Sequence, residues 1–165
     1  MRVASLFLAC GLLLLAGCGD KAGAPQYDLS PESNQKFLAD NAKRKDVTTL
    51  PDGLQLRVIT AGHGKKVTSP TDTVTVTYKG WTIDNHVFDR TQHGQTADFA
   101  VGQLIPGWTE ALLRMRVGDE WQIVVPADLG YGAEGAGADI GPNQTLVFNM
   151  QLIAVKPADD GQPQQ

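Results

Sequence analysis

Cysteine is nearly absent from this chain: there are two, Cys10 and Cys18, and none after residue 18. That removes thiol nucleophiles, cysteine-ligated metals and disulfide staples from everything downstream. Basic charge is not in excess either. Lys and Arg number 14 against 18 Asp and Glu, a formal net charge of −4, and the one basic block is Lys43-Arg44-Lys45. Nucleic-acid binding needs a basic surface, which this balance does not supply, so no nucleic-acid partner is expected. Three histidines, His63, His86 and His93, show no metal-ligand spacing. No serine sits in a G-x-S-x-G turn. The sequence therefore points to non-covalent chemistry, with no metal and no cofactor.

Long apolar runs are missing too. Residues 3–15 form an apolar run of 13, short of the ~20 that a transmembrane helix needs. The run suits the hydrophobic core of a secretory signal. Leu15-Ala16-Gly17-Cys18 follows it, and polar sequence resumes at once. Those four residues resemble a bacterial lipobox, which implies lipidation of Cys18 and a mature chain that starts there. Gly19, rather than Asp, favours the outer membrane under the best-known sorting rule, so a lipid-anchored protein of the bacterial cell envelope facing the periplasm is expected. Several acyl chains would hold it stably, each buried CH2 contributing about 0.8 kcal/mol.

What is present divides the chain into five parts. Residues 1–17 read as the lipoprotein signal peptide and 18–29 as a lipidated tether of small and polar residues. Residues 30–51 hold a short helix, opened by Ser30 as N-cap and Pro31 at the first helical position. Glu32/Lys36 and Asp40/Arg44 are spaced four apart as acid–base pairs. With only Phe37, Leu38 and Ala42 as apolar members, this helix is expected to be mostly solvated, and its thin stripe argues for a monomer. Residues 52–156 form the folded domain, and 157–165 a polar, disordered tail.

Within the domain the period is 2. Leu54, Leu56 and Val58 alternate with polar residues, as do Val74, Val76 and Tyr78; Trp121, Ile123 and Val125; and Leu146, Phe148, Met150 and Leu152. Such half-apolar strands mark an antiparallel sheet, and a further short strand is expected around 97–101. One helix interrupts them after Pro106-Gly107: Trp108, Ala111, Leu112 and Met115 fall on one face. Helix across sheet gives an α+β domain.

Residues 130–135 spell G-x-G-x-x-G, but no dinucleotide loop is encoded. The last glycine of that fingerprint must open a helix. Here Ala136-Gly137-Ala138-Asp139-Ile140-Gly141-Pro142 follows, and its glycines and proline oppose one. The segment is a surface loop between strands, with Tyr131 near its start and Ile140 near its end.

The strings "VTVTYKGW" (74–81), "VFDRT" (87–91), "VGQLIPGW" (101–108), "MRVGDEWQIVVPADLGYG" (115–132) and "GPNQTLVFNMQLI" (141–153) together resemble the FKBP-type peptidyl-prolyl cis-trans isomerases. The opening segment resembles that of cell-envelope members of the macrophage-infectivity-potentiator type, with a much shorter helix. The resemblance implies an FKBP-like half-wrapped antiparallel sheet of five or six strands around one short α-helix, with a shallow apolar pocket between. It places Trp108 as the floor under a proline ring, and Tyr78, Phe88, Leu104, Ile105 and Phe148 as walls. Tyr131 and the Ile105 N–H would meet a substrate carbonyl, Asp89 would set a carboxylate at the edge, and Ile140 would line the flap formed by the glycine loop.

The implied partners are proline-containing polypeptides and macrolide inhibitors. A chaperone-like or adaptor lipoprotein that holds proline-containing segments with little turnover is the alternative. Three departures from the family pattern stand out: Ala97 in place of a pocket-wall Phe, Asp139 in place of an aliphatic, and a shortened 89–99 segment whose nearest basic residue to accompany Asp89 is His93.

Overall fold

A computed structural model describes residues 26–158. The signal peptide, Cys18, most of the 18–29 tether and all but the first two residues of the 157–165 tail lie outside the described residues. Among the described residues no helix is long and apolar enough to cross a membrane.

Alternating residues build one antiparallel sheet. Its strands are β1 (Thr48–Thr49), β2 (Gln55–Thr60), β3 (Thr73–Thr82), β4 (Val87–Arg90), β5 (Ala97–Ala100), β6 (Glu120–Val125) and β7 (Leu146–Lys156). They are ordered β1-β2-β6-β7-β3-β4, with β5 also paired to β3. Seven strands appear where five or six were expected, for two reasons. The 87–100 stretch folds back on β3 twice, β4 on its Lys79–Trp81 end and β5 on its Thr73–Val76 end. β1 adds a two-residue edge opposite Gln55 and Leu56.

The concave face carries the core. Val74, Val76, Ile123, Val125, Leu146, Phe148, Met150 and Leu152 are buried there, as the alternation predicts. Helix α2 (Pro106–Leu112) lies across them, burying Trp108, Ala111 and Leu112, with Met115 just beyond its end. Gly107 allows the close approach: a Cβ there would come within 2.7 Å of Val125 Cγ1. Val58 departs from the pattern. It is 53% exposed: β1 pairs only with Gln55 and Leu56, so at Val58 β2 is an open edge of the sheet, and a register shift follows before Thr60.

The N-terminal helix α1 (Pro31–Ala42) starts as expected, with the Ser30 hydroxyl accepting from the Ser33 N–H. It is mostly solvated, as its composition suggested, but one face docks on the sheet. Asn34, Phe37, Leu38 and Asn41 share one face, and the two amides are the residues it buries. Ala42, read as part of the apolar cluster, is exposed. The expected charge pairs also differ: Asp40 binds Lys36 and Lys43, and Arg44 binds Asp46.

α1 borders the face of the sheet opposite Phe148. Asn41 donates to Gln55 Oε1 (2.7 Å), and Gln55 Nε2 donates to the Leu38 carbonyl (2.9 Å). Phe37 and Asn41 line a groove with Trp81, Gln122 and Val147 from the sheet. Cover on both faces explains why Val124 and Val147 are buried alongside their concave neighbours.

Candidate functional site

Between α2, the concave face and the loop after β6 lies an open pocket of about 220 Å³. Its lining is Tyr78, Phe88, Asp89, Phe99, Gln103, Leu104, Ile105, Trp108, Tyr131 and Phe148. Each element contributes by its local rule. β3 delivers Tyr78 and β7 delivers Phe148 because both positions point to the concave side. Leu104 and Ile105 precede α2, Pro106 fixes the turn into it, and Trp108 is held in its first turn.

The pocket floor is a set of aromatic edges. Trp108 meets Tyr78 at 5.2 Å and 88°, Phe148 at 5.3 Å and 88°, and Phe99 at 6.0 Å and 82° between ring centroids and planes. Phe88 meets Phe148 at 5.6 Å and 84°. Such edge-to-face pairs add about 0.5–1.5 kcal/mol each beyond burial, so they lock the indole, which is 4% exposed. Gly80 makes the packing feasible: a Cβ there would stand 2.7 Å from both Phe148 and Phe88 ring atoms.

Polar groups sit only at the rim. The Tyr78 hydroxyl donates to Asp89 Oδ2 at 2.5 Å, and the Arg90 N–H donates to Asp89 Oδ1 at 2.8 Å. Burial first, and then the Asp89 carboxylate, push the Tyr78 phenol well above its ordinary range, so it remains a donor at any physiological pH. Tyr131 stands at the mouth, 41% exposed. The Ile105 N–H leads into α2, and no group of the described residues accepts from it.

The loop of residues 130–145 is a chain of turns, with no helix after its glycines. Position 135 requires glycine twice over: its φ is +67°, and a Cβ there would sit 2.2 Å from the Ile140 carbonyl oxygen. Ala136 and Ile140 exchange backbone hydrogen bonds (2.8 and 3.2 Å). Ile140 is thereby turned inward, 7% exposed, packed into the core and outside the pocket lining.

The structure thus gathers eight of the nine residues singled out from sequence: Tyr78, Phe88, Asp89, Leu104, Ile105, Trp108, Tyr131 and Phe148. Phe99 and Gln103 are additional. Phe99 was legible in principle, because it shares a strand face with Ala97 and supplies an aromatic wall two residues further on. His93 is no companion to Asp89; it borders a different surface hollow with Thr91 and Gln95. Asp139 instead faces His86, with His86 Nε2 3.1 Å from Asp139 Oδ1, which ties the loop tip to the β3–β4 turn.

An antiparallel sheet half-wrapped around one short helix, with an aromatic pocket between them, defines the FKBP-like α+β class. The family model described as FKBP-type peptidyl-prolyl cis-trans isomerase matches residues 64–153, and the one for the domain amino-terminal to it matches 20–58. The chain belongs to the FKBP-type peptidyl-prolyl cis-trans isomerase family.

Outer membrane protein MIP of Legionella longbeachae is 50% identical over 123 residues, which cover 74% of this chain and 52% of that protein. The macrophage infectivity potentiator of Trypanosoma cruzi is 35% identical over 159 residues, 94% of this chain and 81% of that one. The crystal structure of a peptidyl-prolyl cis-trans isomerase from Pseudomonas syringae pv. tomato superposes with a TM-score of 0.71 at 37% identity, covering 76% of this chain and 92% of that one. FkpA from Escherichia coli gives 0.73 at 39% identity, covering 77% and 59%. The chain spans somewhat over half the length of several curated relatives that it matches.

Proposed function

We propose that this chain accelerates cis–trans rotation about Xaa-Pro bonds in polypeptides of the bacterial cell envelope. The observation that carries this reading is the box of aromatic edges around Trp108, open at one side and polar only at its rim. Rotation of a peptide bond meets a barrier of about 18–20 kcal/mol because twisting breaks amide resonance. The planar amide is the more polar state. A proline ring seated on Trp108 brings its amide out of water, which favours the twisted, less polar state.

In this reading Tyr78, Phe88, Phe99, Leu104 and Phe148 grip the ring. Tyr131 and the Ile105 N–H hold the carbonyls on either side of the rotating bond. Asp89 fixes the Tyr78 ring and presents the pocket's one carboxylate. The same apolar walls would accept a macrolide inhibitor.

The test is exchange NMR on a short Xaa-Pro peptide, with and without the purified chain in detergent. Exchange well above the uncatalysed rate, reduced at least tenfold by Asp89→Leu, supports the reading. A folded chain that binds the peptide without accelerating exchange would instead be a holding module.

Leu15-Ala16-Gly17-Cys18 and Gly19 support a lipid anchor on Cys18 and an outer-membrane site facing the periplasm. The name of the Legionella longbeachae relative agrees with an envelope site. Mass spectrometry of the mature N-terminus reads the first point: an acyl mass on Cys18, lost in Cys18→Ser, is expected. The inward-facing amides of α1 bond to the chain's own sheet and flap loop, which favours a monomer; sedimentation velocity tests it.

A further inference from the structure

We propose that Asn34 is a positioning residue for the pocket: from α1 it clamps the returning arm of the 130–145 flap and so sets the stance of Tyr131. The inference rests on the isomerase reading above for its effect on rate, and on geometry alone for the clamp.

Asn34 is 5% exposed, and both ends of its amide are committed. Its Oδ1 accepts from the Thr145 N–H at 2.7 Å. Its Nδ2 donates to the Ser30 carbonyl (2.9 Å), to the Leu29 carbonyl (3.3 Å) and to Gln144 Oε1 (3.3 Å). Gln144 is buried as well, and its Nε2 donates to the carbonyls of Leu29 (3.1 Å) and Pro142 (3.0 Å). The arm 142–145 is therefore held from α1 and Leu29 at the Gln144 side chain and the Thr145 N–H, while the Gln144–Pro142 bond braces the arm internally.

The hold is passed on. The Asn143 N–H donates to the Gly132 carbonyl at 2.8 Å, joining the returning arm to the outgoing one next to Tyr131. Both residues of that bond are in left-handed backbone, Asn143 at φ +56° and Gly132 at +58°. Asparagine and glycine are the residues that adopt that conformation most readily, so the turn is unstrained and its bond is free to set the spacing of the two arms. Movement of the released arm carries Asn143 with it, and through the Asn143–Gly132 bond shifts the backbone that adjoins Tyr131. Three residues beyond Thr145, the same arm becomes the Phe148 wall.

Docking of α1 alone does not account for this arrangement. Asn41, seven residues on, also docks the helix, but through Gln55 on β2, which is two strands across the sheet from β7 and is no part of the flap. The two amides hold the same helix, and only one of them touches the flap.

The experiment is a double-mutant cycle on the full chain in detergent, read by peptide exchange and by amide NMR shifts. Asn34→Ala should lower kcat/KM about fivefold, but less than twofold in a Tyr131→Phe background, because the two residues act through one contact. Its shifts should spread from Thr145 to Gly132 and Tyr131, leaving the Trp108 indole N–H in place. Asn41→Ala, the control, should lower the unfolding midpoint with no coupling to Tyr131. Gln144→Ala removes part of the clamp while leaving the Asn34–Thr145 bond in place and should show the same coupling at about twofold, which decides the matter if Asn34→Ala does not fold. Fivefold losses in both backgrounds, or shifts that stop at Thr145, would overturn the clamp. A wild-type chain without activity overturns the isomerase reading instead, and the shifts then decide the clamp alone.

Discussion

The two faces of the sheet are covered by helices that hold on in different ways. On the concave face α2 is held by apolar contact, with Trp108, Ala111 and Leu112 against Val125, Phe148 and their neighbours. On the other face α1 is held at Asn34 and Asn41, through hydrogen bonds to Thr145, Gln144 and Gln55. Apolar contact is strong in total and indifferent to direction. Amide hydrogen bonds are individually worth about 0.5–1.5 kcal/mol, but they demand one register and leave a costly orphan when broken. The concave side thus holds the pocket by mass; on the outer side Asn34 sets its alignment, and Asn41 only docks the helix.

Trp108→Ala should have the largest effect, because it attacks the concave side at its centre. Loss of a buried indole costs about 3–5 kcal/mol, and it also removes the pocket floor. Urea unfolding should show that loss, with peptide exchange at the uncatalysed rate even where the chain is folded. Gly80→Ala comes next. Its new Cβ must push Phe88 and Phe148 aside, at about 1–3 kcal/mol for overpacking, and a loss of activity larger than the loss of stability is expected.

Asn41→Ala addresses the outer side. It leaves the Gln55 amide oxygen buried without its donor, at about 1–3 kcal/mol, with kcat/KM unchanged below the midpoint. If that variant lost activity as Gly80→Ala does, the division of labour between the faces would be wrong. His86→Ala should matter least. His86 and Asp139 are 51% and 60% exposed, and an exposed pair contributes about 0–1 kcal/mol. Its midpoint should match the wild type within about 2 °C at moderate salt.

The same contrast explains what the sequence made legible. Burial by apolar contact leaves a period, so the strands around Val74, Ile123 and Phe148 and the face of α2 were readable from spacing. The pocket residues were readable because their short strings resemble a family pattern. The docking of α1 leaves no apolar period, because the two most buried positions of its inner face are amides. Asn34 and Asn41 score as solvated, and their partners Gln55, Gln144 and Thr145 lie 14 or more residues away in the chain. Only the fold brings them together. Val58 failed for the converse reason: its alternation is sound, but it lies where β2 has become an open edge of the sheet. Phe99 was passed over for Ala97 although both lie on one strand face.

The amide bonds of α1 also bear on heredity. Genes recombine domains most easily where few contacts cross the junction. A crossover anywhere between α1 and β2 would bring in a foreign helix opposite Gln55, Gln144 and Thr145, and their polar groups would meet side chains not chosen for them. Helix and sheet should therefore descend together as one unit of inheritance, and a change at residue 34 should tend to be followed by one at 144.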